Sequence, residues 1–324
     1  MKLNRRACLR LGLAASVAAA WPLRAAAALG VDGGPGSFGA IDLDWVDSTR
    51  ERAVPVRLYV PNALGAKPLV VFSHGIGGSR RGYSWLGSHF ARHGIASLHL
   101  QHVGSDRALW TGNVFGLVGR LQDAAQDKEA IARAQDLRFA LDTLLAGELA
   151  VRVDARRIVA AGHSYGANTT LLASGARVPR DGRVLDLHDA RVRGAIVISA
   201  PPFYGEADPR PILAPVAVPS LHVTATEDII RIPGYYSGAD DRVAVFDAIG
   251  GPRKWLAVYE GGSHSMFTDR RGTGGALLNP LVKTATQALA LAFLREVFDG
   301  DDSGLARWPQ QHAALLARFS EARG

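Results

Sequence analysis

Ile158-Val159-Ala160-Ala161-Gly162-His163-Ser164-Tyr165-Gly166-Ala167 is the stretch whose reading decides the fold. Four small or apolar residues run into Gly-His-Ser-Tyr-Gly, and residues 167–173 continue as a helix-compatible run. Strand, sharp turn and helix are the setting in which a G-x-S-x-G pattern presents a nucleophilic serine. The two glycines answer a steric demand. Helix and strand backbones come close at such a turn, and a residue with a Cβ does not fit beside the strained serine. Ser164 Oγ then stands at the C-terminal edge of a parallel sheet, above a helix N-terminus that favours an oxyanion. Without that setting, the same residues are a Gly-rich turn whose serine caps a helix.

Outward from this stretch, strand and helix patterns alternate with short connections, which predicts a mostly parallel sheet wound on both faces. Residues 41–46 and 54–60 read as a leading antiparallel pair. Leu69-Val70-Val71-Phe72-Ser73 is a continuous apolar run, the mark of a strand buried on both faces. Helices are predicted over 83–93 and 127–145, with strands over 95–99 and 157–161. Residues 195–199, 220–224 and 255–259 are further buried strands, 246–249 a helix or turn, 281–298 a closing helix and 308–319 a last peripheral one. Residues 104–122 set Trp110, Phe115 and Leu117 among glycines. Large apolar residues in a loop predict a lid or pocket wall, or else a short helix tucked into the core.

The 324 residues suit a single large catalytic domain over 41–324, since no linker or charge block divides the chain. The net charge of +7 is concentrated at one end. Lys2, Arg5, Arg6, Arg10 and Arg24 lie in residues 1–28 with no acid, and setting them aside leaves 32 basic against 30 acidic residues. That balance gives no reason to expect nucleic acid as a partner. Residues 4–10 form a twin-arginine n-region, 11–21 an Ala-rich apolar run, and 25–28 an A-x-A type cleavage site. The expectation is an exported protein, periplasmic or secreted, with a signal peptide over 1–28 and a flexible tail over 29–40. The apolar run is short for a membrane span, so stable insertion after processing is not expected; the alternative is an uncleaved anchor. Cys8 is the only cysteine, which leaves the mature chain without a disulfide.

A serine needs a base to take its proton, and the base needs an orienting carboxylate. In this architecture they follow in the order serine, acid, histidine. Asp228 comes just past the 220–224 strand, on the sheet edge expected for Ser164, with Glu227 as its rival. His264 follows the 255–259 strand in Gly261-Gly262-Ser263-His264, where two glycines let the loop bend back over that edge. His222 reads as a core histidine and His188 as a surface one. For the oxyanion, the expected donors are the backbone N–H groups of Tyr165 and of Ile76, the latter in His74-Gly75-Ile76-Gly77-Gly78. That loop lacks G-x-G-x-x-G spacing and a P-loop lysine, which argues against a phosphate cradle. His99 and His102 lack matched ligand spacing, so neither a metal nor any other cofactor is expected. Trp110, Phe115, Phe203, Tyr204 and Met266 are positional candidates for the pocket wall.

Taken together, residues 72–78, 162–167 and 261–264 resemble the α/β-hydrolase superfamily, closest to its bacterial dienelactone-hydrolase-like and platelet-activating-factor-acetylhydrolase-like branches. The similarity runs from about Leu69 to Phe267. Two departures stand out. Dienelactone hydrolases use a cysteine where this chain has Ser164. The acetylhydrolases place their acid after the strand that follows the nucleophile helix, where this chain reads Ile198-Ser199-Ala200-Pro201-Pro202 without a carboxylate. The resemblance implies an α/β-hydrolase fold and a cofactor-free serine esterase acting on small-molecule, lipid or polymer esters. An acyltransferase with the same residues, or a binding protein that kept the fold, are the alternatives. Oligomeric state is not legible in the sequence.

Overall fold

The computed structural model describes residues 36–180, 182–270 and 275–322. The segment read as a signal peptide lies outside them, as does most of the expected tail. Residues 38–40, assigned to that tail, are instead the start of the first strand. Among the described residues no helix is long and apolar enough to cross a membrane.

In chain order the strands are β1 Phe38–Asp47, β2 Arg52–Pro61, β3 Lys67–Ser73, β4 Ala96–Leu100, β5 Val153–His163, β6 Arg177–Arg180, β7 Arg183–Asp186, β8 Val192–Ile198, β9 Ser220–Glu227, β10 Ile230–Ile232, β11 Tyr235–Ser237, β12 Lys254–Ser263 and β13 Leu316–Ala322. Nine of them form one sheet in the order β1-β2-β4-β3-β5-β8-β9-β12-β13. From β4 to β12 every pairing is parallel, and antiparallel strands close both ends.

The parallel strands carry long runs of consecutive buried residues because helices cover both faces. Val70 and Phe72 of β3 point to one face, with Val159 and Ala161 of β5, against the long helix Leu278–Asp299 and Trp308. Leu69, Val71, Ile158 and Ala160 point to the other, against Leu137, Ala140 and Leu141 of the helix Asp127–Ala146. This period-two split of continuous apolar runs gives the sheet two dry layers. Burying each large side chain in them contributes on the order of 2 kcal/mol.

The C-terminal segment departs from expectation. The predicted helix over 308–319 is a helix Ser303–Gln311, then β13, which pairs antiparallel with the edge of β12. Trp308, Leu316 and Phe319 have apolar spacing close to that of a helix, but the open edge of β12 offers ladder partners that a helix cannot use. Residues 104–122 form two 3-10 turns, Arg107–Trp110 and Val114–Gly116, leading into the helix Leu117–Ala124. Leu109, Leu121 and Ala124 are buried against Ile76, Leu117 and Ile232, so the segment packs beside the 74–78 loop.

Buried histidines are unusually many. His99, His102, His163 and His222 are pushed down to about 3 by burial, and His74 well below its usual range. All are therefore neutral, hydrogen-bonded core groups at neutral pH. His102 Nδ1 meets Asp136 Oδ2 at 3.1 Å and its Nε2 meets Ser73 Oγ at 3.0 Å. His99 bonds to the Gly82 carbonyl and Ser97 Oγ, both at 3.1 Å. Among the described residues no His, Cys, Asp and Glu group is arranged to hold a metal ion.

Between an unfolded imidazole near 6.5 and these folded values, the unfolded chain binds protons that the folded chain does not. Stability is therefore full above about pH 6.5 and falls as pH drops toward 3, by up to about 1.4 kcal/mol per pH unit for each site. The urea midpoint is expected to be clearly lower at pH 5 than at pH 7.5 with an unchanged slope. An equal or higher midpoint at pH 5 would contradict this account.

Candidate active site

Four loops meet at the C-terminal edge of the parallel strands, after β3, β5, β9 and β12. Ser164 follows β5 at the centre of the sheet, with φ 56° and ψ −124°. Such a conformation costs a non-glycine residue on the order of 1–3 kcal/mol, and the packing around it enforces it. A Cβ on Gly166 would run into the Ser73 carbonyl, and one on Gly162 into the Gly166 carbonyl. The two glycines of the motif are thus required by contact between β3, β5 and the helix Tyr165–Ala173.

His264 Nε2 lies 2.8 Å from Ser164 Oγ, and His264 Nδ1 lies 2.6 Å from Asp228 Oδ1. Asp228 directly follows β9 and is fully buried, whereas its neighbour Glu227 is exposed and makes no bond to His264. Burial by itself would push the Asp228 carboxyl up. The His264 contact and the charge of Arg242, 3.6 Å away, outweigh it and hold the group well below the usual carboxylate range. The carboxylate also accepts a bond from Thr224 Oγ1 at 2.7 Å. An ionised carboxylate only accepts, so His264 carries its proton on Nδ1 and leaves Nε2 free to accept from the serine hydroxyl.

His264 reaches the serine because β12 is irregular. Tyr259 pairs with Ala225, but Ser263 pairs with Glu227, so β12 holds two extra residues over that span. Gly261 and Gly262 take φ 67° and 84°, and the slack swings the imidazole back over the sheet edge.

Ile76 and Tyr165 flank Ser164 at the rim of the same cavity. In the 75–78 turn the other N–H groups have acceptors: Gly75 donates to Tyr83 Oη at 3.4 Å, Gly77 to the Ser105 carbonyl at 2.8 Å, and Gly78 to the Gly75 carbonyl at 3.0 Å. Among the described residues the N–H groups of Ile76 and Tyr165 have none, which suits them to an incoming oxyanion.

Three supporting residues were not singled out from the sequence. His163 joins three loops: the Tyr83 hydroxyl donates to its Nδ1 at 2.8 Å, and its Nε2–H donates to the His264 carbonyl at 3.0 Å. Tyr83 in turn accepts from Gly75. Arg133, fully buried on the helix Asp127–Ala146, donates to Thr169 Oγ1 at 3.0 Å, to Ser105 Oγ at 2.8 Å and to the His74 carbonyl. Its guanidinium stacks on the Tyr165 ring at 4.5 Å. Burial lowers Arg133 to about 10, so it stays charged at neutral pH, against the Tyr165 ring and with no carboxylate at ion-pair distance among the described residues. One signal was available in the sequence: Arg133 falls on the apolar stripe formed by Ala130, Ala134, Leu137 and Leu141.

Two cavities open on either side of Ser164. The first, about 590 Å³, is bounded by Tyr165, Leu121, Leu172, Phe203 and Tyr204 and is also lined by Arg180. Arg180 pairs with Asp127 at 2.8 Å and with Glu206. The second, about 510 Å³, carries His264, Trp110 and the 75–79 loop. Both share Ile76, Ile230 and Ile232, the last two from the β10–β11 hairpin. Of the five side chains expected in the pocket wall, Phe203, Tyr204 and Trp110 are there. Phe115 is not: it is 93% exposed and borders neither cavity, because Leu117 and Leu121 supply the inward face of its segment. Met266 is not either. It is fully buried in the core against Gly262 and borders neither cavity.

The sequence model described as the Alpha/beta hydrolase family matches residues 70–323. No curated protein matches the chain.

Proposed function

Given that the chain belongs to the alpha/beta hydrolase family, we propose that it is a serine hydrolase of carboxylic esters. The observation that carries this reading is the continuous hydrogen-bond chain from Ser164 through His264 to Asp228, beside two N–H groups that have no acceptor among the described residues.

The reaction follows from that geometry. Ser164 Oγ attacks the ester carbonyl carbon as its proton passes to His264 Nε2, and Asp228 stabilises the imidazolium. The carbonyl oxygen becomes an oxyanion held by the amides of Ile76 and Tyr165. The carbon–oxygen bond to the alcohol then breaks, and the departing oxygen takes the proton from His264. Water, deprotonated by the same histidine, adds to the acyl-enzyme and releases the acid. No cofactor takes part in these steps.

The tetrahedral centre also assigns the two cavities. One substituent is Ser164 Oγ, the second is the oxyanion, and the third, the leaving oxygen, must lie within reach of His264. The acyl group takes the remaining direction, into the cavity walled by Leu121, Leu172 and Phe203, while the alcohol portion occupies the cavity that holds His264. The twin-arginine pattern over 4–10 and the small residues at 25–28 support export of the mature enzyme.

The test is hydrolysis of p-nitrophenyl esters from acetyl to palmitoyl. Short and medium chains are expected to be favoured, because the acyl cavity is also lined by the charged Arg180–Asp127–Glu206 cluster, which is costly to bury under a long alkyl chain. A well-folded protein that hydrolyses none of them would indicate a binding protein on this fold.

A further inference from the structure

We propose that the preferred substrates carry an anionic group on the alcohol side of the ester, read by Arg107, Arg231 and Arg270. This inference rests on the esterase reading above and concerns the second cavity, the one that holds His264.

The two cavities differ in how their charges are arranged. The acyl-side cavity has Lys128 and Arg180 against Asp127 and Glu206, and Arg180 is consumed in ion pairs with both acids. The alcohol-side cavity has Arg107, Arg231 and Arg270 against Asp269 alone. The side chains of Arg107 and Arg231 have no hydrogen bond or ion pair among the described residues, unlike those of Arg52, Arg57, Arg180 and Arg191, which pair with carboxylates. Arg270 lies 5.2 Å over the Trp110 ring, and Trp110 is tied by its indole N–H to the Gly77 carbonyl at 2.8 Å. That stack fixes one cation beside the 75–78 turn. Asp269 accepts the Ser84 N–H at 3.0 Å, which engages part of its charge at a helix start.

A cavity beside the reacting atoms with a net excess of two cations, two of them unpartnered, complements a carboxylate, phosphate or sulfate on the leaving alcohol. The anion is a recognition group and stays on the alcohol product. All three guanidinium groups reach solvent, so the attraction is expected to be moderate and to weaken with salt.

The experiment compares two esters that differ only in charge, 4-(butanoyloxy)benzoate and 4-(butanoyloxy)benzamide. The neutral amide makes its phenol the better leaving group, so a preference for the carboxylate opposes intrinsic reactivity. The expected ratio of kcat/KM, carboxylate over amide, is about ten at low ionic strength, falling toward one in roughly 0.5 M salt. In the Arg107→Gln/Arg231→Gln variant the same ratio is expected to collapse toward one. A ratio at or below one in the unmodified enzyme overturns the inference while leaving the esterase reading intact, as does a ratio indifferent to salt. An unchanged ratio in a folded variant does the same. Hydrolysis of neither ester, nor of any p-nitrophenyl ester, would overturn both.

Discussion

Replacing Ser164 with alanine is expected to lower kcat/KM for ester hydrolysis by about 10⁴–10⁶ while leaving the folded protein intact. The size of the effect follows from the loss of the only hydroxyl that His264 Nε2 contacts among the described residues, at 2.8 Å. What survives is the oxyanion pocket and substrate binding, which alone still accelerate the reaction over water. The fold should tolerate the change because alanine is no less able than serine to hold φ 56°, and the turn is set by Gly162, Gly166 and the Ser73 carbonyl. Circular dichroism and urea unfolding check the second half of the expectation, and steady-state rates the first. Activity within tenfold of the unmodified enzyme would remove Ser164 from the mechanism.

The second large effect is expected at Asp228. Asp228→Asn keeps the shape of the side chain, but an amide presents an N–H where His264 Nδ1–H now meets Oδ1 at 2.6 Å. The imidazole is then pushed toward the tautomer with its proton on Nε2, which cannot accept from Ser164. A carboxylate that stabilised the imidazolium is also gone. The loss in kcat is expected to be about 10⁴. Glu227→Gln is the matched control. Glu227 is exposed at the end of β9 and touches no part of the relay, so its change is expected within about twofold, as for surface substitutions away from such features. Equal losses in the two variants, or the larger one at Glu227, would displace the acid from Asp228.

Much of this site could be read from the chain because its demands are local. Gly162 and Gly166 answer a steric requirement within five residues, and Gly261 and Gly262 answer another just before His264. Each motif also closes an apolar run that reads as a buried strand, which places all of them on one sheet edge without any knowledge of long-range packing. Asp228 was separable from Glu227 only by order and position; the three-dimensional difference is that one side chain is buried against Arg242 and the other faces solvent. What was not legible depended on partners far away in the chain. Leu316 to Ala322 is a strand because β12 has an open edge, about sixty residues earlier, and nothing in its own composition requires it. The hairpin β10–β11 has strands of three residues each, too short for a periodic signal, yet it roofs both cavities with Ile230 and Ile232. Met266 and Phe115 show the limit of reading a pocket from proximity to a motif. Both are apolar and near the right residues, but one turns into the core and the other out to solvent.

Arg133 and His163 extend the same lesson to the supporting structure. A neutral buried histidine bridging Tyr83 and the His264 carbonyl, and a buried cation bridging His74, Thr169 and the Tyr165 ring, tie the loops after β3, β5 and β12 to one another. Preorganisation of this kind is what lets fixed dipoles stabilise a developing oxyanion without reorganising first.

The central claim is that Ser164 becomes acylated. Its most direct test is mass spectrometry of the protein mixed with excess p-nitrophenyl butyrate and quenched in acid during turnover, followed by peptide mapping. The account predicts a single butyryl adduct on the peptide that contains Ser164, absent from the Ser164→Ala variant and from samples allowed to exhaust the substrate. Turnover with no adduct at any point of the time course, or an adduct on a different residue that persists in Ser164→Ala, would contradict it.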